Sequence, residues 1–160
     1  MQHQSLLTRF FKDKEALHCL LLPLHQLYWI VPSVAAAEVL LGVFEQPKHT
    51  EPVLSYTWRK ETIPLLSAEC LMGLKNTANP HGRLLVLHST QPETSVPFWA
   101  LELQNLPRIV RLTHSDVSLT PESTLPPYMQ AKVLLEDYEN TYIPNLEQIE
   151  GFLEQAVTPA

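Results

Sequence analysis

Seven histidines, at positions 3, 18, 25, 49, 81, 88 and 114, and two cysteines, Cys19 and Cys70, are the side chains through which this chain could hold a metal or attack a substrate. Metal ligands recur at short fixed intervals such as C-x-x-C or H-E-x-x-H, because two of them must reach one ion from one turn or one helix face. No such interval occurs here. His18 and His25 could approach each other across a hairpin, but only Cys19 stands near enough to join them. His114-Ser115-Asp116 holds the three residue types of a hydrolytic relay side by side. That relay is assembled from separated positions, so the tripeptide reads as a turn. Glu136, Asp137 and Glu139 read as a solvated loop. The glycines, at 42, 73, 82 and 151, are too scattered to cradle a phosphate. The expectation is a protein that is not an enzyme and uses neither cofactor nor metal.

The stretch that invites recognition rather than reaction is Pro52 to Glu69, PVLSYTWRKETIPLLSAE. Val53, Leu54, Tyr56 and Trp58 lead into the polar run Arg59 to Thr62, and Ile63 to Leu66 form a second apolar run, so it reads as two strands joined by a tight charged turn. Pro64 has no N–H to give a ladder, which suits a sheet edge or a bulge better than a sheet centre. An edge beside a Trp-Arg pair is a place for another protein to dock.

Two readings from other classes stand beside this one. The first is a small His/Cys metal-binding or hydrolytic enzyme. The second is a single-strand nucleic-acid-binding β-barrel, with Tyr128, Tyr138, Tyr142 and Trp99 as the stacking platform. Against nucleic acid stand 17 acidic and 11 basic residues, a net charge of -6, and basic residues that do not cluster, Lys12 and Lys14, Arg59 and Lys60, and Arg108 and Arg111 being separated pairs. Two cysteines form neither a disulfide framework nor a metal motif, and read as buried thiols in a reducing compartment. Ala16 to Phe44 is apolar, but His18, Pro23, His25, Gln26, Pro32, Ser33 and Glu38 interrupt it, so no membrane insertion is expected. The start, MQHQSLLTRFFKDKEAL, lacks the order of a signal peptide, and the expected location is cytoplasmic.

The elements that must position these residues are short. Residues 5–17 could form an N-terminal helix; His18 to Leu24, Gln26 to Val31 and Val34 to Val43 read as strands punctuated by Pro23 and Pro32. The alanine triplet 35–37 favours helix, but the flanking elements leave room for only about ten residues, so a strand is expected. Residues 45–51 and 75–82 are loops. Residues 67–74 make one or two helical turns stopped by Gly73. Arg83 to His88, Val96 to Leu103 and Arg108 to Thr113 are strands, the first buried on both faces. Residues 115–127 read as loop, and Tyr128 to Glu136 with Asn140 to Pro144 as a closing hairpin. From Asn145 to Val157 a capped helix buries Leu146, Ile149, Phe152, Leu153 and Ala156. The sum is a mainly β domain of small barrels.

In their order along the chain, LLLPLHQLYWIVPSVAAAEVL at 20–40, PVLSYTWRKETIPLLSAE at 52–69 and VLLEDYENTYIPNLEQI at 133–149 resemble the CheW-like chemotaxis coupling proteins, most closely the ChpC-type members of type IV pilus chemosensory systems. The resemblance implies two five-stranded SH3-like barrels sharing a core, with a C-terminal helix. It implies residues 1–16 as an extension and 17–157 as one CheW-like domain of two intertwined subdomains. It implies a non-catalytic adaptor that couples the cytoplasmic tip of a chemoreceptor to the regulatory domain of a histidine kinase, in twitching motility or flagellar chemotaxis. In similar proteins the glutamate matched by Glu38 and the arginine matched by Arg59 form a salt bridge that shapes the docking surface; the alternative is two unrelated surface charges. The expected partner-binding residues are Val34, Ala37, Glu38, Val39, Trp58, Arg59, Ile63, Pro64 and Leu65. The family's glycine after the arginine is Lys60 here, the glycine before the tryptophan turn is replaced by Leu54-Ser55-Tyr56, and the family's closing Leu-Asp is Pro144-Asn145. A non-glycine residue is strained at positive φ, so a different turn type is expected at Arg59-Lys60.

Overall fold

The computed structural model describes residues 16–41, 51–74, 83–118 and 122–157. In chain order these form β1 (Ala16–Pro23), β2 (Tyr28–Pro32), β3 (Ala36–Leu40), β4 (Val53–Trp58), β5 (Glu61–Leu66), α1 (Ala68–Leu71), β6 (Arg83–His88), β7 (Phe98–Leu103), β8 (Arg108–Thr113), β9 (Val117–Ser118), β10 (Met129–Leu135), β11 (Tyr138–Pro144) and α2 (Leu146–Val157). Two sheets result, in the orders β8-β1-β2-β11-β10-β9 and β3-β6-β7-β5-β4. The chain enters the first sheet, leaves it to build all of the second, and returns. The first sheet is the expected five strands plus the two-residue β9.

Strand periodicity explains why two sheets make three apolar regions. Alternate side chains point to opposite faces. Cys19 and Leu21 of β1 and Ile30 of β2 join Leu112, Ala131, Val133 and Ile143 inside the first sheet. Their neighbours Leu22, Trp29 and Val31 point the other way, into a core shared with Leu66, Leu85, Leu87, Trp99, Leu101 and Leu103 of the second sheet. The second sheet curls around its own interior of Trp58, Ile63, Leu65, Leu84, Val86 and Ala100. Central strands such as β6 are therefore buried on both faces, as the run RLLVLH suggested.

α2 lies on the shared core through Ile149 and Leu153, both fully buried. Its start follows from Asn145, whose Oδ1 accepts the Gln148 N–H at 3.1 Å. The expected apolar face needs one correction: Ala156 is exposed and Glu150 is buried instead. Glu150 tolerates burial because its carboxylate accepts the Thr90 N–H at 2.8 Å and the Thr90 hydroxyl at 2.5 Å. Gln91 donates to Glu147 at 3.1 Å and Thr94 to Glu154, so three carboxylates of α2 hold the segment before β7. Gly151 has no atom within 4 Å of where a Cβ would stand and no positive φ. Gly151→Ala is expected to stabilise the fold by about 1 kcal/mol, measured by urea denaturation.

Other expectations are also revised. Residues 34 and 35 are not strand: Ser33–Ala35 form a 3-10 turn and β3 spans only Ala36–Leu40. Pro32 ends β2, and the chain must turn there from one sheet to the other, which the turn achieves in three residues. β5 is not an edge: the edges of its sheet are β3 and β4. Pro64 is nonetheless accommodated, because its pairing partner Ser55 occupies a non-hydrogen-bonded register position and the ladder to β7 begins only at Leu65. The segment after β8 is not all loop, since His114–Asp116 form a 3-10 turn and Val117–Ser118 pair with β10. Asp116 accepts the Thr113 N–H at 2.8 Å, which makes that tripeptide a capped turn. The expected helix at 5–17 lies outside the described residues except for Ala16 and Leu17, which begin β1. The loops at 45–50 and 75–82 lie outside them as well.

Candidate docking site

The two edges of the second sheet, β3 and β4, are not joined by a backbone ladder, yet their side chains meet. Trp58 Nε1 at the end of β4 donates to Glu38 Oε2 of β3 at 2.8 Å. Arg59 Nη2 stands 3.3 Å from the same oxygen. The Arg59 guanidinium also lies 4.8 Å from the Trp58 ring centroid, a cation–π arrangement. Glu38 thus closes the barrel through side chains where the sheet leaves a seam.

A bulge makes this possible. The β3–β6 register shifts between Ala36↔Leu87 and Glu38↔Val86, so Ala37 is an extra residue in β3. Without it, Glu38 would share a face with Ala36, which packs toward the shared core. With it, Glu38 points to the Trp58 side, as Ala37 and Leu40 do. Phe98 packs 4.9 Å from Trp58 on the inside, and exposed His88 lies 5.2 Å beyond Phe98.

The turn that carries Arg59 keeps left-handed backbone despite lacking glycine. Arg59 has φ 48° and Lys60 φ 67°, so the expectation of a different turn type is overturned. Positive φ at both positions is the requirement of a type I′ turn, one of the two that match a two-residue hairpin to the right-handed twist of its strands, and here it outweighs the residue preference. Lys60→Gly is therefore expected to stabilise the protein by about 0.5–1 kcal/mol, since relief of left-handed strain exceeds the extra chain entropy of glycine. Equilibrium denaturation of the two proteins checks it.

The expected binding residues divide sharply. Val34 is 81% exposed in the 3-10 turn, Arg59 is exposed at the hairpin tip, and Ala37, Glu38 and Val39 are half-buried. Trp58, Ile63 and Leu65 point into the second barrel, and Pro64 is buried. Ile63 and Pro64 also line a groove of about 870 Å³ bounded by Val53, Val96, Phe98 and Phe152. Sequence reading missed Phe98 and His88, whose only signal was their place at the end of the paired strands β6 and β7.

The residues considered for other chemistry do not converge. His18 is exposed on β1 whereas Cys19, the next residue, faces inward. Burial pushes the Cys19 thiol up to about 12, so it stays protonated and unreactive at neutral pH. Among the described residues no group of three or more His, Cys, Asp or Glu could hold a metal ion. The aromatic platform is dispersed: Trp99 is fully buried, Tyr128 packs on Phe152 at 5.9 Å, and Tyr138 meets Tyr28 edge-on at 5.3 Å. Among the described residues no helix is long and apolar enough to cross a membrane.

No protein-family model matches the chain, and no curated protein matches its sequence. Among solved structures it is similar to the scaffolding protein TtCheW from Thermoanaerobacter tengcongensis, with a TM-score of 0.61 and 11% identity over 79% of this chain and 87% of that one. The likeness is one of architecture: this chain has a CheW-like fold, mainly β, with two sheets around a common core and a C-terminal helix.

Proposed function

We propose that the chain is a non-catalytic signalling adaptor, a single CheW-like domain that couples the cytoplasmic tip of a chemoreceptor to the regulatory domain of a histidine kinase. We place it in the cytoplasm, recruited to receptor clusters at the inner membrane, and in a type IV pilus chemosensory system of the ChpC kind ahead of a flagellar one. The observation that carries the reading is the Glu38–Trp58–Arg59 seam, which sits at the exposed corner of a fold similar to that of a scaffolding protein. The contact surface is then Val34, Ala37, Glu38, Val39 and Arg59 directly, with Trp58, Ile63, Pro64 and Leu65 as the packed base beneath. An exposed ion pair of this type is worth only about 0–1 kcal/mol of stability, so its value lies in the shape it holds. Pull-down of a receptor tip and a kinase regulatory domain with the folded full chain tests the reading. Capture of both is expected, and capture of neither ends it.

A further inference from the structure

We infer that the outer edge of β8 is a docking site for an extended segment of another protein in which an Asp or Glu stands two residues ahead of an apolar side chain. The site belongs to the first sheet and is distinct from the Glu38–Trp58–Arg59 seam of the second. β8 ends its sheet, and its register to β1 runs unbroken from Ala16↔Thr113 to Leu21↔Arg108. In an antiparallel ladder alternate residues give both N–H and C=O to the same neighbour. Two contacts fix the phase here. At one end the Leu24 N–H turns to the Leu27 carbonyl at 2.9 Å and closes the β1–β2 hairpin, so even-numbered residues of β1 face β2 while Leu17, Cys19 and Leu21 face β8. At the other end the Thr113 N–H leaves β1 for Asp116 Oδ2 at 2.8 Å. Leu112, Val110 and Arg108 therefore pair with β1, and Ile109 and Arg111 direct their N–H and C=O groups outward. Among the described residues nothing takes up these groups.

The open stretch has a defined length and chemistry. Pro107, which has no N–H, precedes it, and the Asp116 cap closes it. Strand alternation puts the Ile109 and Arg111 side chains on one face, where Ile109 is 76% exposed and Arg111 is exposed as well. An antiparallel strand added here sets one residue opposite Arg111 and the next but one opposite Ile109, which asks for a carboxylate followed by an apolar group. Charge favours that acid. Neither β1 nor β8 contains an acidic residue, and the residue opposite Arg111 on β1 is the exposed His18. The edge is thus locally positive in a chain of net charge -6. A second copy pairing through β8 would set two cationic edges against each other, which is how basic residues ordinarily deter indiscriminate edge pairing. A helix cannot use the open groups, because its own backbone bonds are already closed.

Amide NMR of the full chain with two acetylated eight-residue threonine peptides tests this, one carrying Glu and, two positions on, Val, the other carrying Lys in place of the Glu. The Glu peptide is expected to shift the Ile109 and Arg111 N–H signals and slow their exchange, whereas the Val110 N–H is already protected by β1. The Lys peptide should bind about three- to tenfold more weakly, and Arg111→Glu should reverse the order of the two. Ile109→Pro removes an outward N–H and no ladder bond, so it should fold and bind the Glu peptide about tenfold more weakly. The charge reversal stands on its own if the proline variant fails to fold. Unmoved Ile109 and Arg111 signals at millimolar Glu peptide, or equal binding of both peptides to wild type, overturn the inference. Protection of these two amides that rises with the concentration of the chain alone also overturns it, by giving the edge to a second copy. Each of these results leaves the adaptor reading standing, since that reading rests on the other sheet.

Discussion

Truncating Trp58 to alanine is expected to cost about 3–5 kcal/mol of folding stability, the range for deleting a buried aromatic side chain. The ring is 7% exposed, fills the second sheet's interior, and supplies the hydrogen bond that ties the edge strands β3 and β4 together. A domain has roughly 5–15 kcal/mol in total, so the variant should retain a fold but melt roughly 10 °C lower. Arg59→Gln, one residue away, should stay within about 1 kcal/mol of wild type, because its ion pair is exposed. Urea titration of both variants reads the contrast directly. A loss below about 1 kcal/mol for Trp58→Ala would mean that the barrel is closed by something other than this seam.

Leu153→Ala should destabilise by about 2–5 kcal/mol, as truncation at a fully packed core position does. Leu153 is completely buried in the shared core, where α2 meets residues of both sheets. The helix cannot compensate from its own resources: at 12 residues, with Gly151 inside it, it is marginal in isolation. Docking also positions Glu147, Glu150 and Glu154, which hold Gln91, Thr90 and Thr94. Loosening the helix should therefore release the Thr90 amide as well. Hydrogen exchange at Thr90 that stays slow in Leu153→Ala would show that the segment before β7 keeps its place without the helix.

Local features were the legible ones. Alternation of apolar residues marked most of the strands, and Asn145 with Gln148 marked the start of α2, because period and capping are written in neighbouring residues. The order of three motifs suggested a CheW-like fold at a distance where sequence identity to a solved example is 11%. Features that depend on contacts between distant segments were not legible. Glu69, Glu102 and Glu150 are buried, the first receiving the His25 N–H at 2.8 Å across 44 positions, and nothing in their neighbouring residues announces it. The bulge at Ala37 has no signature in AAAEVL, although it decides which way Glu38 points. Ile63 and Leu65 looked like docking residues because they are apolar beside a Trp-Arg pair; strand alternation sends them to the interior with Trp58. The left-handed turn was missed because residue preference was weighed without the twist that a two-residue hairpin imposes.

An adaptor differs from a mere ligand of either partner in that one copy must hold both at once. Sedimentation velocity of the full chain mixed with a receptor tip and a kinase regulatory domain measures this directly. The account predicts a species heavier than either pairwise complex, lost for Arg59→Glu while that variant still melts as wild type does. Mutually exclusive pairwise complexes, or a folded chain that sediments alone, would contradict it.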